Sequence, residues 1–132
     1  MDKRIEAAEF PSISRQLRAR QLVLRAEIRD VLLRTDQEQY AQIAGQVHDA
    51  QDESVADLLV DVNLAEIGRD VAELREIEAA LDRISLGTYG VCLRCGDAIA
   101  RERLAAYPTA ERCTNCQRLY EQTRATRPTP SL

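Results

Sequence analysis

Apolar residues along the first third of the chain recur at Ile13, Leu17, Leu24, Ile28 and Val31, spaced 4, 7, 4 and 3 apart. That period places them on one side of a long helix, entered after Pro11 with Ser12 or Ser14 as the capping residue. A short helix over 2–9 precedes the proline. The stripe weakens at Thr35 and Asp36, returns at Tyr40, Ile43 and Val47, and meets Gly45 and the polar run His48-Asp49-Ala50-Gln51-Asp52, which predicts a turn. A second stripe, Val60, Leu64, Ile67, Val71, Leu74, Ile77, Leu81 and Ile84, predicts another long helix over about 53–86. At 1.5 Å per residue it is about 50 Å long. No proline falls between residues 12 and 107, and Gly87 stands where a helix hands over to a left-handed residue.

Two amphipathic helices joined by a short polar turn bury their stripes most simply against each other, as an antiparallel coiled-coil hairpin. A turn near residue 50 sets Val31 against Ile67 to Val71 and Leu24 against Leu74 to Ile77. The charges suit this pairing. Residues 15–34 hold six arginines, and residues 57–78 hold seven acids. Exposed pairs of this kind contribute little individually, so their main expected effect is on orientation.

The downstream pattern is different. Cys92-Leu93-Arg94-Cys95 and Cys113-Thr114-Asn115-Cys116 are two C-x-x-C units separated by seventeen residues, a spacing suited to four thiolates around one ion. The ligand set Cys92, Cys95, Cys113 and Cys116 predicts one structural Zn2+; iron in a rubredoxin-like site is the chemical alternative. Gly96 frees the backbone to turn its N–H groups toward sulfur. Tyr89, Val91, Ile99, Leu104 and Leu119 are the expected small core, Pro108 stops a helix begun near Arg101, and a last helix is expected from Asn115 to Arg124.

The expected architecture is mainly α: an N-terminal segment 1–11, a hairpin 12–86 with its tip near 47–54, a four-cysteine finger and C-terminal helix over 87–124, and a flexible tail 125–132. The opening residues carry acids, and no stretch approaches the roughly 18 apolar residues of a membrane span. Together with the C-x-x-C pairs, this predicts a soluble, cytoplasmic, metal-binding protein rather than a disulfide-bonded one. Residues 1–86 hold 11 basic and 18 acidic side chains, and residues 87–132 hold 7 and 4. Four thiolates on a divalent ion reduce the finger to about +1, which is poor for gripping phosphates.

Gly87-Thr88-Tyr89-Gly90-Val91-Cys92, Cys95-Gly96, Arg103-Leu104, Pro108-Thr109-Ala110 and Cys113-x-x-Cys116 together resemble the DksA/TraR zinc-finger family. The resemblance is close over residues 81–120 and extends to the hairpin with its acidic tip. It implies binding to bacterial RNA polymerase, with the hairpin inserted in the secondary channel, and regulation of initiation without DNA sequence readout. In DksA-type members the tip carries Asp-x-x-Asp-x-Ala. Here Asp49-Ala50-Gln51-Asp52-Glu53-Ser54 keeps both acids, with Ser54 at the alanine position and Glu53 where the family has a basic residue. Asp49, Asp52 and Ser54 are therefore the tip residues expected to face the polymerase active centre, while Asp52 or Ser54 also suits a helix cap. Positions that the resemblance associates with the alarmone guanosine tetraphosphate read Glu76, Tyr107 and Gln117, which predicts weak or absent alarmone dependence.

Two other classes fit parts of the pattern. The cysteine spacing is shared with GATA-type DNA-binding fingers, but after Cys116 only Arg118, Arg124 and Arg127 are basic, against sequence-specific DNA binding. A dimerising coiled coil with a zinc cap is the other; Leu58, Leu59 and Val62 widen the apolar face near the tip. The expected state is a monomer. Enzymatic chemistry is not expected: the only histidine, His48, lacks a nucleophile partner.

Overall fold

The computed structural model describes residues 4–45 and 50–126. After a single 3-10 turn at Ala7–Glu9, the helices are α1 (Phe10–Gly45), α2 (Ala50–Leu86), α3 (Arg101–Ala106) and α4 (Thr114–Thr126). The fold is mainly helical, with α1 and α2 packed antiparallel and a four-cysteine cluster near the C-terminal end of the chain. Contacts divide it into two compact units: Arg18–Ile77, and Met1–Leu17 together with Glu78–Leu132.

Helix α1 starts earlier than the serines suggested. Pro11 lies inside its first turn, where a missing N–H breaks no helical hydrogen bond. Helix α2 also starts early, at Ala50, so Asp52 and Ser54 are helical residues rather than caps.

In the Arg18–Ile77 unit the helices meet through Leu24, Val31 and Ile77, all almost completely enclosed. Leu64 was expected beside them but is 57% exposed, and the adjacent Asn63 is buried instead. The inward path on α2 steps from Val60 to Asn63 to Ile67, and Leu64 lies about 100° round the helix from Asn63. Burying an amide is tolerable only with partners. Asn63 Nδ2 donates to Thr35 Oγ1 at 2.8 Å, and the Thr35 hydroxyl donates to the Val31 carbonyl at 2.8 Å. Arg34 Nη2 donates to Asn63 Oδ1 at 3.4 Å and to Glu66 Oε2 at 3.2 Å. Such a polar layer fixes the register, because sliding either helix would strand the amide.

Of the six arginines between residues 15 and 34, Arg20 and Arg34 are the ones that pair with acids on α2 among the described residues. Arg20 grips Glu73 with two bonds, of 2.6 and 3.0 Å. The Arg20 guanidinium, donating directly to the Glu73 carboxylate, lowers the Glu73 pKa. Glu27 has the opposite surroundings. Desolvation, then the Asp70 charge and a hydrogen bond with Asp70, raise its pKa; Arg20 opposes this and Glu66 adds to it. Asp70 Oδ2 is enclosed with no hydrogen-bond partner.

A raised carboxyl pKa means that the fold prefers Glu27 protonated. Its stabilising contribution is present below the ordinary carboxylate range and is lost as pH rises through the elevated value. Glu73 acts in the opposite sense, supporting the hairpin at neutral pH and losing that contribution on acidification through its lowered value. Glu27→Gln is therefore expected to raise the thermal midpoint at pH 7, with the gain shrinking toward pH 4. Circular dichroism melts at the two pH values check this; an equal shift at both would exclude a titration origin.

The other unit begins with the turn before α1, where the Glu6 N–H donates to Glu9 Oε2 at 2.9 Å. Glu9 also pairs with Arg101, and Arg101 Nη2 donates to the Arg4 carbonyl at 2.9 Å. The Arg101 bond first, and the Glu6 N–H second, lower the Glu9 pKa. Leu17, Ala80, Tyr89, Ile99 and Leu104 are buried in this unit. Val91 and Leu119, expected in the same core, are 42% and 48% exposed. Phe10 takes a place that the periodicity did not assign: its ring meets Tyr89 edge-on, with centroids 5.7 Å apart.

Candidate metal centre

The approach to the first cysteine pair begins at the end of α2. Gly87 adopts φ +77°, its N–H donates to the Ile84 carbonyl at 3.1 Å, and the Thr88 N–H donates to the Arg83 carbonyl at 2.8 Å. These two bonds form a Schellman termination, which satisfies the last carbonyls and turns the chain out of the helix. Tyr89 is then fixed by its hydroxyl, which donates to the Pro108 carbonyl at 2.6 Å. Burial pushes the tyrosine pKa up to about 12, against the opposing charge of Arg83.

The first ligand pair lies in a tight turn. Cys92 N–H donates to the Asp97 carbonyl at 2.7 Å, and Gly96 N–H returns to the Cys92 carbonyl at 3.0 Å. Gly96 takes φ +78°, a conformation that a side chain would strain. An isolated bridge pairs Val91 with Ala98, and the Ile99 N–H donates to the Gly90 carbonyl at 2.8 Å. The second pair is supplied differently: Cys113 immediately precedes α4, and Cys116 lies in its first turn. The Leu93 N–H donates to the Glu111 carbonyl at 2.8 Å, tying the two cysteine segments together.

Helix α3 ends before Pro108, as expected, and Tyr107, at φ −132° and ψ 83°, has left the helical region that a following proline disfavours. Arg103 Nε donates to the Arg112 carbonyl at 3.0 Å, while Arg83 Nη2 donates to the Thr109 carbonyl at 3.3 Å. Arg112 pairs with Glu111 at 2.9 Å and lies 4.0 Å from the Tyr120 ring centroid. These side chains brace the segment between Pro108 and Cys113 against the ends of three helices. Sequence periodicity could not assign them, because their partners are mostly backbone carbonyls.

All four sulfurs lie within 4.8 Å of one another, and among the described residues no histidine or carboxylate joins the cluster. A tetrahedron of sulfurs about 2.3 Å from a central ion has edges of about 3.8 Å. The separation between Cys95 Sγ and Cys113 Sγ is 3.8 Å. The donor set and its spacing therefore fit a single tetrahedral ion, with no further protein ligand among the described residues. Burial raises the Cys92 pKa, but backbone N–H groups of Cys95, Cys113 and Arg94, with the Cys95 side chain, outweigh it and bring the thiol down to about 6. A hydrogen bond with the Cys113 side chain, followed by desolvation and hydrogen bonds with the other two cysteines, pushes Cys116 up to about 12. An ion resolves that conflict by stabilising all four thiolates together.

Of the expected tip residues, Asp49 lies outside the described residues. Asp52 and Ser54 fall within α2, and their side chains also lie outside them. Glu76 is an exposed residue of α2. Tyr107 is 63% exposed beneath the Arg103 guanidinium, and Gln117 donates to Glu121 at 3.1 Å. Among the described residues, no helix is long and apolar enough to cross a membrane.

Comparison with known proteins agrees with this geometry. Residues 87–122 match the prokaryotic dksA/traR C4-type zinc finger. An uncharacterised protein of Aquifex aeolicus is 49% identical over 47 residues, covering 36% of this chain and 32% of the relative. General stress protein 16O of Bacillus subtilis is 40% identical over 63 residues, covering 48% and 37%. The RNA polymerase-binding transcription factor DksA of Haemophilus influenzae is 40% identical over 48 residues, covering 36% and 33%. The chain thus aligns with about a third of the length of these curated relatives. The solved structure of transcription factor DksA2 from Pseudomonas aeruginosa superimposes with a TM-score of 0.75 at 23% identity, over 89% of this chain and 87% of that one, which establishes a common fold. Residues 87–122, in which the four cysteines cluster, therefore form a zinc finger of the prokaryotic dksA/traR C4 type.

Proposed function

We propose that this protein is a DksA-like transcription regulator: it binds bacterial RNA polymerase through protein surface, holds one structural zinc ion on Cys92, Cys95, Cys113 and Cys116, and acts through the acidic segment around Asp49, Asp52 and Ser54. The observation that carries this reading is the shared fold with DksA2 over nearly the whole chain, in a protein whose finger matches the family. The zinc keeps the finger folded and performs no chemistry. The hairpin acts from the secondary channel, where Asp49 and Asp52 bring negative charge toward the metal-dependent active centre. Charge placed there perturbs metal-bound water or mobile catalytic segments electrostatically, without base readout.

Purified polymerase should be retained by the intact protein and released by competition with another secondary-channel factor. Asp49→Asn combined with Asp52→Asn should leave that retention within about twofold while abolishing the effect on initiation in a reconstituted transcription assay. Unchanged transcription by the double variant would remove the tip acids from the mechanism. Adding guanosine tetraphosphate to the wild-type reaction should change the effect little, because the acidic Glu76 opposes a pyrophosphate; strong potentiation would overturn that part of the reading.

A further inference from the structure

Helix α1 carries a cationic and apolar stripe that takes no part in the hairpin. Arg18, Leu22, Arg25, Arg29 and Leu33 are all exposed, Leu22 by 67% and Leu33 by 55%. At 100° per residue these five side chains fall within an arc of about 80°, on the side of α1 opposite Leu24 and Val31. The stripe is about 22 Å long at 1.5 Å per residue. Arg20 and Arg34 lie toward α2 and reach its acids. Among the described residues, Arg18, Arg25 and Arg29 make no ion pair. The helix therefore divides its arginines between two faces, one paired internally and one presented outward.

From this face we infer a docking surface for an acidic, amphipathic protein element of the partner, an inference that rests on the polymerase reading above. Three unpaired guanidiniums are suited to carboxylates, which they can engage bidentately. The two leucines select against the other polyanion. Exposed apolar side chains set between arginines gain nothing from a phosphate backbone, whereas on a helix bearing both acids and apolar residues they are buried together with the ion pairs. A second copy of this chain is a weaker occupant: among the described side chains of α2, the exposed acids Asp61, Glu76, Glu78 and Asp82 are interspersed with Arg69 and Arg75, which leaves an excess of two acids for three guanidiniums.

The test compares wild-type protein, the triple variant Arg18→Glu/Arg25→Glu/Arg29→Glu and the double variant Leu22→Ser/Leu33→Ser for binding to purified RNA polymerase at two salt concentrations. Helicity and melting midpoint measured in parallel confirm that both variants are folded. Both should bind at least about tenfold more weakly than wild type, and the triple variant should lose most of the salt dependence. Failure of the wild-type protein to bind would overturn the polymerase reading, and this inference with it. Wild-type binding with folded variants unaffected would overturn the inference alone. If free protein binds a DNA duplex or single-stranded RNA, and the arginine variant alone loses that binding, the stripe is a phosphate face and the protein-docking assignment is wrong.

Discussion

Removing the metal should unfold the cysteine-bearing segments between residues 87 and 116 while the packed part of α1 and α2 keeps its helical signal. The two cysteine segments are tied together chiefly by the Leu93 N–H to the Glu111 carbonyl, while the short bridge at Val91 and Ala98 closes only the first of them. Their local apolar core is small: Tyr89, Ile99 and Leu104 are its largest buried side chains. Structural zinc typically contributes about 10–16 kcal/mol at pH 7, far more than such a core can replace. Chelator titration followed by amide hydrogen exchange should therefore expose residues 88–116 first, with protection retained around Leu24, Val31 and Ile77. Cys113→Ser should produce the same pattern without chelator. Because the ligands bind as thiolates, acidification should also release the ion. Elemental analysis distinguishes zinc from iron; a fully protected finger with neither ion would overturn the site.

The second large effect is expected in the hairpin. Leu24 is completely enclosed between the helices, so Leu24→Ala should cost about 2–5 kcal/mol through lost burial and the cavity it leaves. Leu64→Ala, at a position 57% exposed, should change stability by only about 0.5 kcal/mol or less. Urea melts followed by circular dichroism compare the two directly. The contrast also tests the register, because a sequence-only reading assigns Leu64 to the same interface as Leu24. Similar costs for both substitutions would mean that α2 is rotated from the orientation described here.

Why that reading failed at Leu64 and succeeded elsewhere has a physical explanation. Helical periodicity fixes a stripe only to within neighbouring positions, and at residues 63 and 64 hydrophobicity favours the leucine. Burial of Asn63 depends on Thr35 and Arg34, nearly thirty residues away, which local pattern does not encode. Gly87 and Pro108 were legible because their constraints are local: one supplies a positive φ at a helix end, and the other stops α3. The cysteine cluster was legible for a related reason, since C-x-x-C spacing is a property of the chain itself. The arginine pattern was only half legible. Composition showed six cations facing an acidic helix, but each side chain's angle around α1 decides which can reach it, and among the described residues Arg20 and Arg34 do. Phe10 lay outside both stripes, so nothing in its neighbourhood announced the Tyr89 ring as its partner.

That aromatic pair, with the attachment of Arg101 to Glu9 and Arg4, also bears on how the protein is made. The partners of Tyr89 and Arg101 near the start of the chain are translated long before them, with both long helices in between. On the ribosome, Phe10 and Glu9 must wait with their surfaces unclaimed until the cysteine region emerges. Closure across so long a separation is entropically costly and slow, which makes it a natural late step in folding. A fragment beginning at Gly87 would contain every sulfur ligand and still lack part of its own core.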